Sequence, residues 1–291
     1  MKSNWQSKAL PYLFLTPTLI LMAVFSYYAI VNALVTSFTD ATFGLKSNWV
    51  HFSNYVRAFR DEVFLTALRN QLFITAAAVF NSVFFPLVAS EMIYFLKRKR
   101  VRNAVKTAFV LPMLVPSIVI ILMWKYLFNP NFGFNTILRA MGLGHYATNW
   151  LNNSQTALAC VILIGFPFVS GMYFLIFHTG LNMIGSELYE AARIDGATTF
   201  QIVRYIHIPG LKPYLKTVVT LSLISSLSGF GNVFATTGGG PGFTTMIPAL
   251  QMYQQAFGDG KFGYASALGV LLMLVIVLLT LFSRGLFGKE D

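Results

Sequence analysis

Ser186-Glu187-Leu188-Tyr189-Glu190-Ala191-Ala192-Arg193-Ile194-Asp195-Gly196-Ala197-Thr198-Thr199-Phe200-Gln201-Ile202-Val203-Arg204-Tyr205-Ile206-His207-Ile208-Pro209 is an amphipathic island in a chain that is otherwise largely apolar. Ser186 is placed to cap a helix, and Glu187 and Glu190 fall in its first turn, where the helix dipole favours anions. Leu188, Ala191, Ala192 and Ile194 give that helix a narrow apolar face with small residues at its centre. Asp195-Gly196 is a stop signal. Thr198 followed three residues later by Gln201 has the capping-box pattern of a second helix. Ile202, Val203, Ile206 and Phe200 supply its apolar side, and Pro209 closes it. Two short helices held at a fixed angle make a rigid knob.

Working outward, the knob is flanked by stretches that do not suit water. Hydrophobic residues make up 56% of the 291, and Asp, Glu, Lys and Arg together only 11%. Soluble proteins carry about 25% charged residues, so this chain cannot cover a globular surface of its size with charge. Its solvent is lipid. A spanning helix needs about 20 apolar residues, and six stretches qualify: 9–35, 70–96, 105–127, 156–180, 214–235 and 263–286. The first runs beyond the length of a signal-peptide core and reads as a retained helix. Pro86 interrupts the second and Gly165-Phe166-Pro167 the fourth. The expected fold is an all-α membrane protein with six transmembrane helices, a single transmembrane domain over 1–291.

Orientation follows the cations. With the N-terminus inside, the inner segments hold Lys2, Lys8, the run Lys97-Arg98-Lys99-Arg100-Val101-Arg102, Lys106, Arg193, Arg204, Lys212, Lys216, Arg284 and Lys289. The outer segments hold fewer, among them Lys46, Arg57 and Arg139. Both termini are therefore expected in the cytoplasm, and 181–213 becomes the one large inner loop. The net charge of +11 is a topology signal beside anionic headgroups, not a nucleic-acid footprint.

Catalytic chemistry is not visible. One cysteine, Cys160, excludes an internal disulfide and any multi-cysteine metal site. His51, His145, His178 and His207 are scattered without ligand spacing. No nucleophile stands beside a base. No phosphate-binding loop occurs, since Gly260-Lys261 is followed by Phe262. Lys125, toward the outer end of the third stretch, reads as a structural residue whose stem snorkels to the interface. Glu91 is expected to pair with the basic run beside it.

At this point the sequence resembles a known family. Glu190-Ala191-Ala192, Asp195-Gly196-Ala197, then Ile206 and Ile208-Pro209 match the EAA loop of binding-protein-dependent ABC importer permeases, with Ile208 where a Leu commonly precedes the proline. Leu111-Pro112-Met113-Leu114-Val115-Pro116, Trp124-Lys125-Tyr126-Leu127-Phe128-Asn129-Pro130 with Gly133, and Gly238-Gly239-Gly240-Pro241 with Thr244 fit the carbohydrate branch. So do Pro11 to Pro17 and Asn54-Tyr55 before Phe64 and Asn70. The resemblance implies a type I ABC importer permease fold in a bacterial cytoplasmic membrane. It implies no catalytic residue, metal or cofactor on this chain, ATP and Mg being held by two cytoplasmic ATPase subunits. An extracytoplasmic solute-binding protein and a second permease, in a heterodimer, complete the assembly. Glu190, Ala191, Ala192, Asp195, Gly196 and Ala197 would couple to the ATPase, with Ala191 and Ala192 permitting close approach and Glu190 meeting a basic group.

A transported sugar needs polar lining. Ser222, Ser225, Gly229, Asn232 and Thr236 recur at three- and four-residue spacing, which puts them on one face of the fifth span. Phe230 or Tyr173 could stack on a ring. Small polar residues also let helices pack closely, and both roles stay open for this face. Other solutes, such as a glycerol phosphodiester, are an alternative. An ion-coupled secondary transporter commonly places carboxylates near mid-membrane, whereas the ten acidic residues here fall in loops or near span ends.

Overall fold

In the computed structural model, residues 4–43 and 47–286 are described. Lys2, Lys46 and Lys289, whose charges entered the topology, lie outside them. The described residues are helical apart from loops and one isolated antiparallel bridge, Thr39 to Trp49. Two compact units divide the chain, Met1–Asp61 with Gln251–Met273 and Glu62–Leu250 with Leu274–Asp291.

The first unit begins with a long rod, α1, in which Asn4–Met22, the π turn Ala23–Tyr27 and Tyr28–Thr36 follow without a break. Its stretch Pro11–Thr36 is long and apolar enough to cross a membrane, and none of its most apolar window is buried in the protein. After α1 the chain is pinned by side chains. Asn54, in helix α2 (Ser53–Arg60), donates its amide to the carbonyls of Ser37 and Thr39 at 2.9 and 2.8 Å. Asn48 donates to Asp40 through its backbone and its side chain, which holds the Asp40 carboxyl below the ordinary range. Asp61 accepts from Gln251 at 2.9 Å and from the Tyr264 hydroxyl at 2.7 Å, and the Arg57 guanidinium lies 4.0 Å above the Tyr264 ring.

The second unit is built on α3, Glu62–Tyr94, a 33-residue helix. It runs through Pro86 without interruption, contrary to the sequence expectation. One turn past the proline, Ser90 Oγ donates to the Pro86 carbonyl at 2.7 Å and to the Phe174 carbonyl at 3.1 Å, which ties this helix to the segment that follows the fourth stretch's break. The third apolar stretch bends. Helix α4 (Lys99–Val110) with the 3-10 turn Leu111–Leu114 meets α5 (Ser117–Leu127) at 91°, because Pro112 and Pro116 each lack a donor. The fourth breaks at Gly165-Phe166-Pro167 as expected, between α7 (Ala157–Leu163) and α8 (Gly171–Met183), where α6 is the short helix Gly133–Ala140.

The fifth stretch also breaks. Helix α11, Lys212–Ser228, stops at Gly229, whose backbone is extended, and α12 runs from Gly231 to Thr236. Between α8 and α11 lies the knob, α9 (Ser186–Ile194) and α10 (Thr199–Ile202 with its continuation to Gly210). Helices α13 (Pro248–Tyr253, with the π turn Gln254–Gly258) and α14 (Phe262–Leu286) close the chain. Glu62–Tyr94 and Phe262–Ser283 are, like Pro11–Thr36, apolar enough to span.

The core of this unit is where α3, α8 and α11 meet. Phe177, Leu181, Leu211 and Val218 are fully buried, as are Phe174 and nearly all of Ile93. Gly180 permits this approach, since a Cβ there would lie 2.7 Å from Leu211 and Tyr214 side-chain atoms.

The loop after α5 depends on one amide. Asn135, 1% exposed, donates to the carbonyls of Pro130 and Thr148 and accepts from the Thr148 N–H and the Trp150 indole at 2.8–3.3 Å. Asn135→Leu leaves those partners unsatisfied. At about 1 kcal/mol for each lost bond, it is expected to cost about 3–4 kcal/mol. The check is a thermal melt of detergent-solubilised protein; an unchanged melting temperature would remove the amide from the account.

Candidate functional site

The segment 186–209 has the geometry of a knob with a fixed corner. Helix α9 is capped by Gly185, not by Ser186, which is already its first helical residue and makes no capping bond. The end of α9 is a Schellman turn: Ala197 N–H donates to the Ala192 carbonyl at 2.9 Å, and Gly196 N–H to that of Arg193 at 3.2 Å. Gly196 has φ +77°, the left-handed value this turn requires. The capping box is present, with Thr198 and Gln201 exchanging bonds.

Pro209 does not end α10. A π turn at Val203–His207, closed by Ile208 N–H to the Val203 carbonyl, carries the helix on to Gly210. Ile202 and His207 are buried, and Val203 and Ile206 half-buried, on the side facing the bundle. Phe200, assigned by sequence to that side, is instead 76% exposed, as are Leu188 at 59% and Ile194 at 86%. Glu190, Ala191, Asp195 and Gly196 are exposed, while Ala192 and Ala197 are half-buried. An apolar, mostly exposed surface on two braced helices is suited to being gripped.

Glu91 does not pair with the basic run. Its Oε2 accepts from Nδ1 of His207, 116 residues away, at 2.8 Å, and both residues are buried. Sequence reasoning had no signal for this contact, since a lone His and a lone Glu on separate apolar faces carry no spacing.

A cavity of about 870 Å³ lies in the second unit. Its walls come from the places where helices fail to continue: Pro112, Met113 and Ser117 at the bend, Ile164 to Gly171 at the fourth break, and Gly229 to Gly231 at the fifth. Irregular backbone at membrane depth is tolerated where it is buried in protein or lines a cavity. Ser222, Ser225, Gly229, Phe230, Asn232 and Tyr173 all border this cavity. They are not one helical face, because the helix stops at Ser228; the break, not the period, brings Asn232 round to the others. Thr236 borders instead a smaller cavity of about 260 Å³ with Lys125, Asn129, Asn149 and Asn152. Lys125 Nζ donates to the Ala235 carbonyl at 3.2 Å, the structural role expected for it.

The two roles left open for the polar face divide along it. Ser222, 3% exposed, bonds Ser82 at 3.1 Å, and Gln71 and Thr75 bond Ser226, so these residues join α3 to α11. Ser225, Gly229 and Asn232 are exposed to the cavity instead. Asn81 and Ser82 of α3, and the rings of Trp124, Phe166 and Phe168, complete the lining and were missed by sequence. Two adjacent polar residues in an apolar run were the available signal. None of the residues bordering this cavity is Asp, Glu, Lys, Arg or His.

Residues 82–289 match the family described as binding-protein-dependent transport system inner membrane component. The chain is 34% identical over 281 residues to a probable ABC transporter permease protein of Pyrococcus horikoshii, covering 95% of each. It is 32% identical to the arabinooligosaccharides transport system permease protein of Bacillus subtilis, covering 99% of this chain and 93% of that one. Its fold superposes, with TM-score 0.86 and 21% identity over 98% of each chain, on a bacterial alginate ABC transporter solved in complex with an alginate pentasaccharide-bound periplasmic protein. The resemblance carried by the EAA loop and a fold shared along almost the whole chain agree: this protein is an integral membrane protein and belongs to the binding-protein-dependent transport system inner membrane components, the permease subunits of ABC transporters.

Proposed function

We propose that this chain is one of two permease subunits of an ATP-driven importer that carries an uncharged oligosaccharide across a bacterial cytoplasmic membrane by alternating access. The observation that carries the reading is the cavity at the three helix breaks. It offers hydroxyls (Ser82, Ser225, Tyr173), amides (Asn81, Asn232) and aromatic faces (Trp124, Phe230), and no charged side chain. Hydroxyl and amide groups replace the water bonds of a sugar, and rings stack on its apolar face. A phosphodiester or a uronate would lose its hydration here with no cation to compensate, which is costly. The same absence of carboxylates disfavours ion coupling.

In this reading the six apolar stretches all cross, three of them as broken helices, with both termini inside. A solute-binding protein delivers from outside. The knob, with Glu190, Ala191, Ala192, Asp195, Gly196 and Ala197, sits on one of two ATPase subunits that hold ATP and Mg. The oligosaccharide transport named for the Bacillus relative supports the solute class.

The test is ATPase activity of the reconstituted complex over a panel of neutral mono- and oligosaccharides, uronic oligosaccharides and glycerol phosphodiesters. Stimulation by a neutral oligosaccharide is expected. Stimulation by the charged solutes alone would overturn the reading.

A further inference from the structure

The Glu91–His207 bond joins the second helix of the knob to the inner end of α3. His207 lies in the π turn of α10, fully buried, its ring stacked on Phe95 with centroids 5.7 Å apart and meeting Tyr94 edge-on at 4.9 Å. Tyr94 also touches Tyr189 of α9, with centroids 6.4 Å apart, so both knob helices seat on the same end of α3. Glu91 Oε1 and His207 Nε2 are buried and have no hydrogen-bond partner among the described residues. A pair held this way is held by its single bond, and separating it would leave two orphaned polar groups.

The same α3 forms a wall of the cavity two to three turns away. Asn81 and Ser82 border it, and Ser82 lies nine residues from Glu91, about 14 Å at 1.5 Å per residue. Between them α3 is continuous helix through Pro86. Apolar contacts between helices can slide, whereas a buried hydrogen bond fixes one direction and one register.

We infer that Glu91 and His207 are positioning residues that carry displacement of the knob into α3 and so to the cavity wall. The inference rests on the proposed function, because it needs a knob driven by an ATPase.

The experiment uses the complete reconstituted complex and reads solute taken up per ATP hydrolysed. The double variant Glu91→Leu with His207→Phe keeps volume and the aromatic stack while removing both polar groups, so no orphan remains. It is expected to assemble, to hydrolyse ATP, and to move at least about fivefold less solute per ATP, the lower end of ordinary coupling strengths. Glu91→Gln retains a bond to His207 and is expected to stay within about twofold of the parent. A second measurement leaves the pair intact: spin labels at Met92→Cys and Tyr205→Cys, both exposed positions beside it, with Cys160 buried. Their separation is expected to be the same with and without ATP, knob and helix moving together. Parental coupling in the apolar double variant, or a separation that changes with ATP, overturns the inference alone. Failure of the parental complex to couple hydrolysis to saccharide uptake overturns the proposed function instead.

Discussion

Gly196→Val is expected to insert, fold and assemble as the parent does, yet to lose at least about four-fifths of solute-stimulated ATP hydrolysis. The cause is conformational. A Cβ at this position meets nothing within 4 Å, so no clash arises and the bundle is untouched. What the variant cannot do is hold φ +77°, a left-handed value that costs an L-residue about 1–2 kcal/mol and a β-branched one more. A strain of that size lowers the population of the parental corner by roughly five- to thirtyfold, and the angle between α9 and α10 is lost with it. Gly196→Asn separates strain from a mere change of residue, since Asn visits the left-handed region readily; it should retain most of the stimulation. Stimulated hydrolysis and binding of the ATPase subunits in detergent are the readouts. A Val variant that hydrolyses and transports normally would remove the fixed corner from the coupling mechanism.

Gly133→Ala should fail earlier, at folding. Gly133 begins α6 with φ +55°, and a Cβ there would lie 2.2 Å from the Leu127 carbonyl oxygen. The opposing atom is backbone at the end of α5, so the helix end itself has to move. Strain and clash together are expected to cost about 4 kcal/mol or more, a fall of roughly 10 °C in melting temperature. The loop held by Asn135 starts here, and Leu127 is followed by Phe128 and Asn129, which border the smaller cavity. Gly142 is the control: its φ is +75°, but a Cβ would meet nothing. Gly142→Asn should therefore leave the melting temperature within a few degrees of the parent. Equal stability of Gly133→Ala and the parent would mean that α5 and α6 do not meet as described.

Much of this was legible in the sequence because it depended on neighbours in the chain. The apolar lengths of Pro11–Thr36, Glu62–Tyr94 and Phe262–Ser283 are read directly along the chain, and the capping box at Thr198 and the turn at Gly196 are each decided within about one helical turn. The proline rule was too coarse in both directions. Pro86 reads as a break in the sequence, but α3 runs through it without interruption, with Ser90 one turn on bonded to the Phe174 carbonyl of α8. Pro116 was passed over, and there the chain turns by 91°. Whether a proline bends a helix depends on what lies beside it, which spacing does not record.

The sequence by itself determined that this chain is helical, bound for lipid and furnished with a stiff two-helix knob, because hydropathy, charge placement and capping chemistry act over short distances along the backbone. Only the tertiary structure decided which polar residues face a cavity and which lock α3 to α11, where three helices break around one volume, and that Glu91 answers to His207. Those outcomes depend on which surfaces meet across more than a hundred residues, and contacts of that range are set by packing, not by period.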